Sequence, residues 1–412
     1  MKNKYDWKDN LKSTIVRMKI VGLWPGGDDT YKFNIYGLYS AFCIAAFTFG
    51  HTFFQTYNIL YIFNDLQAIL GTVYVNFSEI LNLLKAYLVI KNMKILKELM
   101  ITVNCDLFQP RNQKQLDRIK PDLRFWRMSS FALWSSVSTT VFFWSTYPIF
   151  DHSLKSHKLP FLAWYPYRTD ISPNYEITYV YQVFGICFTA ATAISVDTLI
   201  ACLHMYIGAQ YDILCDDIKH LYDQTDNVLA DLNKKLYNIV KHHREILKFY
   251  EHISKFSNWI IFVQFFISAT SIGITMFELT TVISPDPPSS LHTQNTFFFR
   301  QVTPLSSQFF AFTAFLTTIT VQIFVYCWFG NIVEVKSSNI PYAVFESKWI
   351  GTPMEHKKLM IIFIERNQKP LKVMALDLFF LNLDTFMKIL RASWSYFALL
   401  RQFRERQTIA TT

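Results

Sequence analysis

A chain of 412 residues in which 51% are hydrophobic, 39 are Phe and only 17% are charged is not composed like a soluble multidomain protein. Its net charge of +9 forms no basic patch interleaved with aromatics, which argues against nucleic-acid binding. Ten His and 11 Gly supply neither a His-Glu-x-x-His pair nor a phosphate-cradling loop, so there is no basis for an enzyme and no cofactor is expected.

The charged first nineteen residues lack the short basic start and small-residue cleavage site of a signal peptide, so the N-terminus is expected to remain in the cytoplasm. Apolar runs of about 20 residues or more, long enough to cross about 30 Å of hydrocarbon, then follow in order. They predict spans near 33–59, 66–90, 126–147, 176–207, 257–282, 304–330 and 373–400. Between the fourth and fifth, Leu229, Leu232, Leu236, Ile239, Val240, His243, Ile246 and Leu247 form an apolar stripe at spacings of three and four, which predicts a packed helical extension. Residues 340–366, with Tyr342, Phe345, Trp349, Leu359, Ile361, Ile362 and Ile364 among charges, are too broken to span and predict a cytoplasmic helix leading into the last span. The fold class is therefore an all-α membrane protein with seven transmembrane helices and a helical cytoplasmic anchor region.

Lys and Arg divide between alternate segments as 29 against seven, which places residues 1–32, 91–125, 208–256 and 331–372 in the cytoplasm. An odd number of spans then puts the C-terminus outside, the reverse of a G-protein-coupled receptor. No Asp-Arg-Tyr follows the third span and no Asn-Pro-x-x-Tyr lies in the seventh. Cys43, Cys105, Cys187, Cys202, Cys215 and Cys327 all fall in spans or cytoplasmic segments, where no extracellular disulfide forms. The sequon Asn76-Phe77-Ser78 sits within a span, out of reach of glycosylation.

Ionisable residues inside spans are expensive and are functional candidates. Glu79 and Lys85 are expected near the inner interface of the second span, with Lys85 snorkelling. Asp197 is expected to pair structurally with Thr198 and His204, and Lys388 and Arg391 to face a wet vestibule or a neighbouring helix.

The C-terminal stretch carries a recognisable pattern. Glu346-Ser347-Lys348-Trp349, Ile364 through Leu371 (IERNQKPL), Leu383-Asp384-Thr385-Phe386 and Ala392 through Arg401 (ASWSYFALLR) resemble, in order, the signature of insect odorant receptors. Asp197-Thr198-Leu199, and His243 through Leu247 followed by Phe256, extend the resemblance upstream. Two departures stand out: Ala375-Leu376 replaces a small-Gly pair, and Trp394 replaces the more usual Tyr. The last span lacks the Thr-Tyr and Gln-Phe pattern of gustatory receptors, and the short second cytoplasmic loop resembles an odorant-tuning subunit and not the longer co-receptor.

The resemblance implies an odorant-gated, non-selective cation channel in the plasma membrane of a sensory neuron dendrite, working as a heterotetramer with an odorant co-receptor. Its partners would be volatile small-molecule odorants and membrane lipids. Residues 1–330 would form a six-helix bundle with the odorant pocket, 331–372 an anchor for subunit assembly, and 373–412 the pore-lining helix with a short extracellular tail. Alignment of the last span places Leu399, Gln402 and Phe403 at the extracellular constriction, where apolar rings gate by dewetting. The pocket is implied in the outer halves of the second, third, fourth and sixth helices. Those halves offer Val73, Tyr74, Asn76 and Phe77; Thr139, Phe143 and Tyr147; Tyr181, Phe184 and Phe188; and Phe309, Phe310 and Thr313. Ligand affinity there would come from apolar burial at about 25 cal/mol per Å2 with one or two orienting hydrogen bonds.

Overall fold

The computed structural model describes residues 5–27, 31, 34–62, 66–151, 157–223, 229–283 and 306–411. A short 3-10 turn at Trp7–Leu11 leads into α1 (Lys12–Ile20), and the long helices begin with α2 (Ile35–Ile59) and α3 (Leu66–Lys91). Then come α4 (Met93–Thr102), α5 (Gln113–Phe150), α6 (Asn174–Lys219), α7 (Leu229–Ile283) and α8 (Ser307–Ser337). Two short helices, α9 (Ile340–Glu346) and α10 (Met354–Asn367), precede a hairpin of β1 (Met374–Ala375) and β2 (Phe379–Phe380) and the final α11 (Leu383–Thr411). By length and composition, five of the described helices are apolar enough to cross a membrane: α2, α3, α6, α7 and the helix beginning at α8. α5 and α11 are long enough, at 38 and 29 residues, but the uncharged half of α5 is rich in Ser and Thr and α11 is interrupted by charges.

The core is organised around α6. Every residue from Thr192 to Tyr211 is buried, as expected for a helix apolar on all sides that is surrounded by others. At 46 residues α6 is about 69 Å long and at 55 residues α7 is about 82 Å, both far beyond a bilayer's hydrocarbon. The stripe at 229–247 therefore lies on the continuous first half of α7, where Leu232, Leu236, Ile239 and Ile246 are buried. The N-terminal segment caps this region: Trp7 packs edge-on against Tyr206 at 5.3 Å, and the Tyr206 hydroxyl donates to the Trp7 carbonyl.

Two regions depart from expectation. The segment 340–366 is two helices: the first ends at Glu346 with Ser347 extended, a 3-10 turn at Trp349–Gly351 follows, and Pro353 holds Thr352 extended before the chain restarts at Met354. The last long helix begins at Leu383 and not near 373. Leu376 and Asp377 have φ of 49° and 58°, values no right-handed helix accommodates, and they form the tight turn that pairs Ala375 with Phe379. Asn382 then caps α11 by accepting from the Thr385 backbone N–H at 3.0 Å.

Candidate functional site

Where α3, α5, α6 and α8 come together they line a cavity of about 110 Å3. Its apolar walls are Val75 and Leu81 on α3, Val137, Val141 and Trp144 on α5, Ile186, Ala190 and Ala193 on α6, and Phe315 and Ile319 on α8. Phe161, from the connection between α5 and α6, closes one side and stacks on Trp144 with ring centroids 5.7 Å apart. The loop holding Phe161 is fixed by Gln182, whose side chain accepts from the Phe161 N–H and donates to its carbonyl, each at 3.0 Å. Thr140 and Thr318 join α5 to α8 across the lining through a 2.9 Å hydroxyl contact.

One end of the lining is polar. Glu79, Asn82 and Lys85 recur every three residues on α3 and so share one face, with Gln264 of α7 and Gln322 of α8 opposite. Lys85 Nζ lies 2.7 Å from Asp197 Oδ1 on α6, and Asp197 also accepts from the Tyr326 hydroxyl at 2.6 Å and from Gln322 Nε2. Buried charges are tolerated when paired and hydrogen-bonded in this way. Lys85 is thus fully buried and does not snorkel, and Asp197 is held by α3 and α8, not by its neighbours Thr198 and His204. Thr198 instead donates back to the Ile194 carbonyl at 2.8 Å. Glu79 Oε1 accepts from Gln55 Nε2 at 2.9 Å and lies 3.3 Å from His51 Nδ1, both on α2.

The thirteen residues expected at the pocket sit beside this lining and not on it. On α3, Val73 is half-buried, Asn76 donates to Thr56 at 2.9 Å, and Phe77 is exposed. Tyr74 is buried and backs two lining rings, Phe315 at 5.2 Å and Trp144 at 6.3 Å. On α5, Thr139 is exposed, Phe143 stacks on Phe310 of α8 at 5.7 Å, and Tyr147 donates to the carbonyls of Leu159 and Pro160. On α6, Tyr181 donates to the Ala46 carbonyl at 2.7 Å within the π-helical turn of α2, Phe188 stacks on Phe47 at 4.8 Å, and Phe184 is exposed. On α8, Phe309 packs against Phe310, and Thr313 donates to the Phe309 carbonyl. The cavity lies between the helices that carry these residues, and the side chains lining it are their sequence neighbours. A readable signal for the polar end was present in the three-residue spacing of Glu79, Asn82 and Lys85.

At the far end of the chain, Leu399, Gln402 and Phe403 lie on an exposed face of α11. The opposite face packs against α7, where Gly273 leaves room for Tyr396 and the Ser393 carbonyl. Lys388 is exposed and pairs within its own helix with Asp384 at 2.7 Å, and Arg391 is exposed.

Long apolar helices around a small, mostly apolar cavity with a few buried polar groups are the architecture of a multi-pass membrane protein. A family model described as 7tm Odorant receptor matches residues 65–299 and 289–394, and the chain belongs to the insect odorant receptor family, a family of receptors and not of enzymes. It is similar to Odorant receptor Or1 of Anopheles gambiae, 23% identical over 429 residues with 96% of each chain covered. It is also similar to Odorant receptor 10 of Aedes albopictus, 24% identical over 366 residues with 85% of this chain and 88% of that one covered. The olfactory receptor OR5 of Machilis hrabei, solved alone and in complex with eugenol, has the same fold: TM-score 0.81 at 18% identity, covering 97% of this chain and 100% of that one.

Proposed function

We propose that this chain is the odorant-tuning subunit of a ligand-gated, non-selective cation channel, and that its ligand occupies the cavity between α3, α5, α6 and α8. The observation that carries this reading is the cavity itself, with aromatic and aliphatic walls and a polar end, inside a membrane bundle of this family. A volume of about 110 Å3 is of the order of the ~150 Å3 engineered cavity that takes up benzene. Small volatile molecules match it.

The remaining parts follow from faces a single chain leaves uncovered. Leu399 and Phe403, four residues apart on exposed α11, suit a pore lining when several chains assemble, with Gln402 beside them as a coordinating amide. Exposed Tyr342, Phe345, Ile350, Ile361 and Ile362 on and beside α9 and α10 suit a subunit interface beneath the membrane, shared with a co-receptor in a heterotetramer. The N-terminus is then cytoplasmic, the C-terminus extracellular, and the protein resides in the plasma membrane of a sensory neuron dendrite.

Two measurements test the reading. An epitope at the C-terminus should be accessible on unpermeabilised cells, and detection only after permeabilisation would rule out this topology. Co-expression with an odorant co-receptor in oocytes should give odorant-evoked cation currents. Current without the co-receptor would mean that this chain forms a homomeric channel.

A further inference from the structure

We infer that the cavity selects small ligands carrying a hydrogen-bond donor, of the alcohol or phenol class, and that the second carboxyl oxygen of Glu79 is the acceptor that selects them. The inference rests on the reading of the cavity as the ligand site. Glu79 is 2% exposed and lines the cavity. Its Oε1 is occupied by Gln55 Nε2, with His51 Nδ1 alongside, so the carboxyl group is held from the α2 side. Its Oε2 is buried and has no hydrogen-bond partner among the described residues. Leaving a buried carboxyl oxygen unsatisfied is unfavourable, and a protein that keeps one at a cavity wall has a position where a bound molecule can supply the missing donor.

The surroundings narrow the ligand. Gln264 Oε1, on the same lining, is a second buried acceptor without a partner. Lys85, also on the lining, has its ammonium drawn to Asp197 at 2.7 Å. Trp144 Nε1 and Thr189 Oγ1 on the same lining also have no partner among the described residues, but a carboxyl oxygen is a stronger acceptor than an indole N–H or a hydroxyl is a donor, so a ligand that donates gains most from Glu79. The stacked Trp144 and Phe161, with Phe315 nearby, provide an aromatic-lined space for a ring or short chain, and the volume limits the ligand to about the size of one ring. A hydrogen bond to a carboxyl group in such a site discriminates against an isostere lacking the donor by about tenfold or more.

The test uses phenol, toluene and anisole, which share a ring but carry a donor, a methyl group and an acceptor ether, respectively. Binding is read first as thermal stabilisation of the purified full-length chain, which does not depend on a pore or a co-receptor. It is then read as half-maximal concentration for current on co-expression with a co-receptor. The expected result is at least about tenfold tighter apparent binding of phenol than of toluene or anisole. Glu79→Leu should collapse that ratio toward one while the response to toluene persists. Equal binding of phenol and toluene overturns the inference and leaves the cavity as a ligand site, as does an anisole response that matches phenol. Should Glu79→Leu fail to reach the surface, the three ligands on the unaltered protein decide the matter. If none of the three stabilises the purified chain, the cavity is not the ligand site, and the functional reading falls together with this inference.

Discussion

Lys85 Nζ lies 2.7 Å from Asp197 Oδ1, with the two side chains 1% and 2% exposed, so a single ion pair joins α3 to α6 inside the bundle. Tyr326 and Gln322 complete the shell of Asp197 from α8, and Gln322 and Lys85 both reach the cavity lining. The pair is thus a three-helix junction at one end of the ligand space. Breaking it from one side strands a charge in low dielectric, at a cost of about 3–5 kcal/mol. Lys85→Met is therefore expected to lose most surface expression, read by surface biotinylation and by the melting temperature of the purified chain. Adding Asp197→Asn should restore much of it, because the amide oxygen still accepts from Tyr326 and the amide NH2 can donate to the Gln322 side-chain oxygen once that side chain turns over. No recovery in the double variant would mean that the charges matter for something other than each other.

The turn before α11 holds a leucine where the family resemblance leads one to expect glycine. Leu376 adopts φ of 49°, and a non-glycine residue in the left-handed region costs about 1–2 kcal/mol. Leu376→Gly removes that strain, partly offset by about 0.5–1 kcal/mol of extra chain entropy lost on folding. The expected outcome is a melting temperature equal to or slightly above that of the unaltered protein. Leu376→Val, β-branched in the same conformation, should lower it. A Gly variant as destabilised as the Val variant would show that packing of the leucine side chain, and not backbone strain, decides the position.

That turn also shows where sequence reasoning stops. Residues 373–382 include Val373, Met374, Ala375, Leu376, Leu378, Phe379, Phe380 and Leu381, as apolar as the helix that follows, so hydropathy merges hairpin and helix into one span. Only the backbone angles at Leu376 and Asp377 separate them. The long helices were legible because an apolar run is a local property. The α7 extension was legible because its stripe repeats at three and four residues. Which side of each helix meets the cavity was not, because that depends on axial rotation. Large rings such as Phe143 and Phe188 interlock with neighbouring helices, and the cavity opens where smaller residues such as Thr189, Ala190 and Ala193 face inward. The Lys85–Asp197 pairing was hidden for the same reason, since 112 positions separate the two residues in sequence.

The contact between α2 and α6 beneath Glu79 provides a more indirect test. A Cβ at Gly185 would lie 2.3 Å from His51 Cδ2 and 3.0 Å from its Cβ, so His51 must move to admit a methyl group. His51 is one of the two groups holding Glu79. Gly185→Ala should therefore weaken the response to hydroxyl-bearing ligands more than the response to hydrocarbons of equal size. The overall cost of overpacking is about 1–3 kcal/mol. A uniform loss for both ligand types would indicate simple destabilisation, with His51 having no part in positioning the carboxyl group.

Phe161 sets the size limit of the cavity from outside the helices. It is buried, stacks on Trp144, and is anchored through its backbone by Gln182, so truncating its side chain leaves the loop's hydrogen bonds in place. Phe161→Ala should enlarge the cavity without unfolding it, at a stability cost of about 3–5 kcal/mol if nothing fills the space. A longer ligand can fill it. Each additional methylene buried contributes about 0.8 kcal/mol, a factor of about four in potency, so a homologous alcohol series should shift its optimum toward longer chains. The measurement is the half-maximal concentration for current against chain length, compared between the two proteins. An unchanged optimum with lower potency throughout would place the ligand away from Phe161 and would move the binding site out of this cavity.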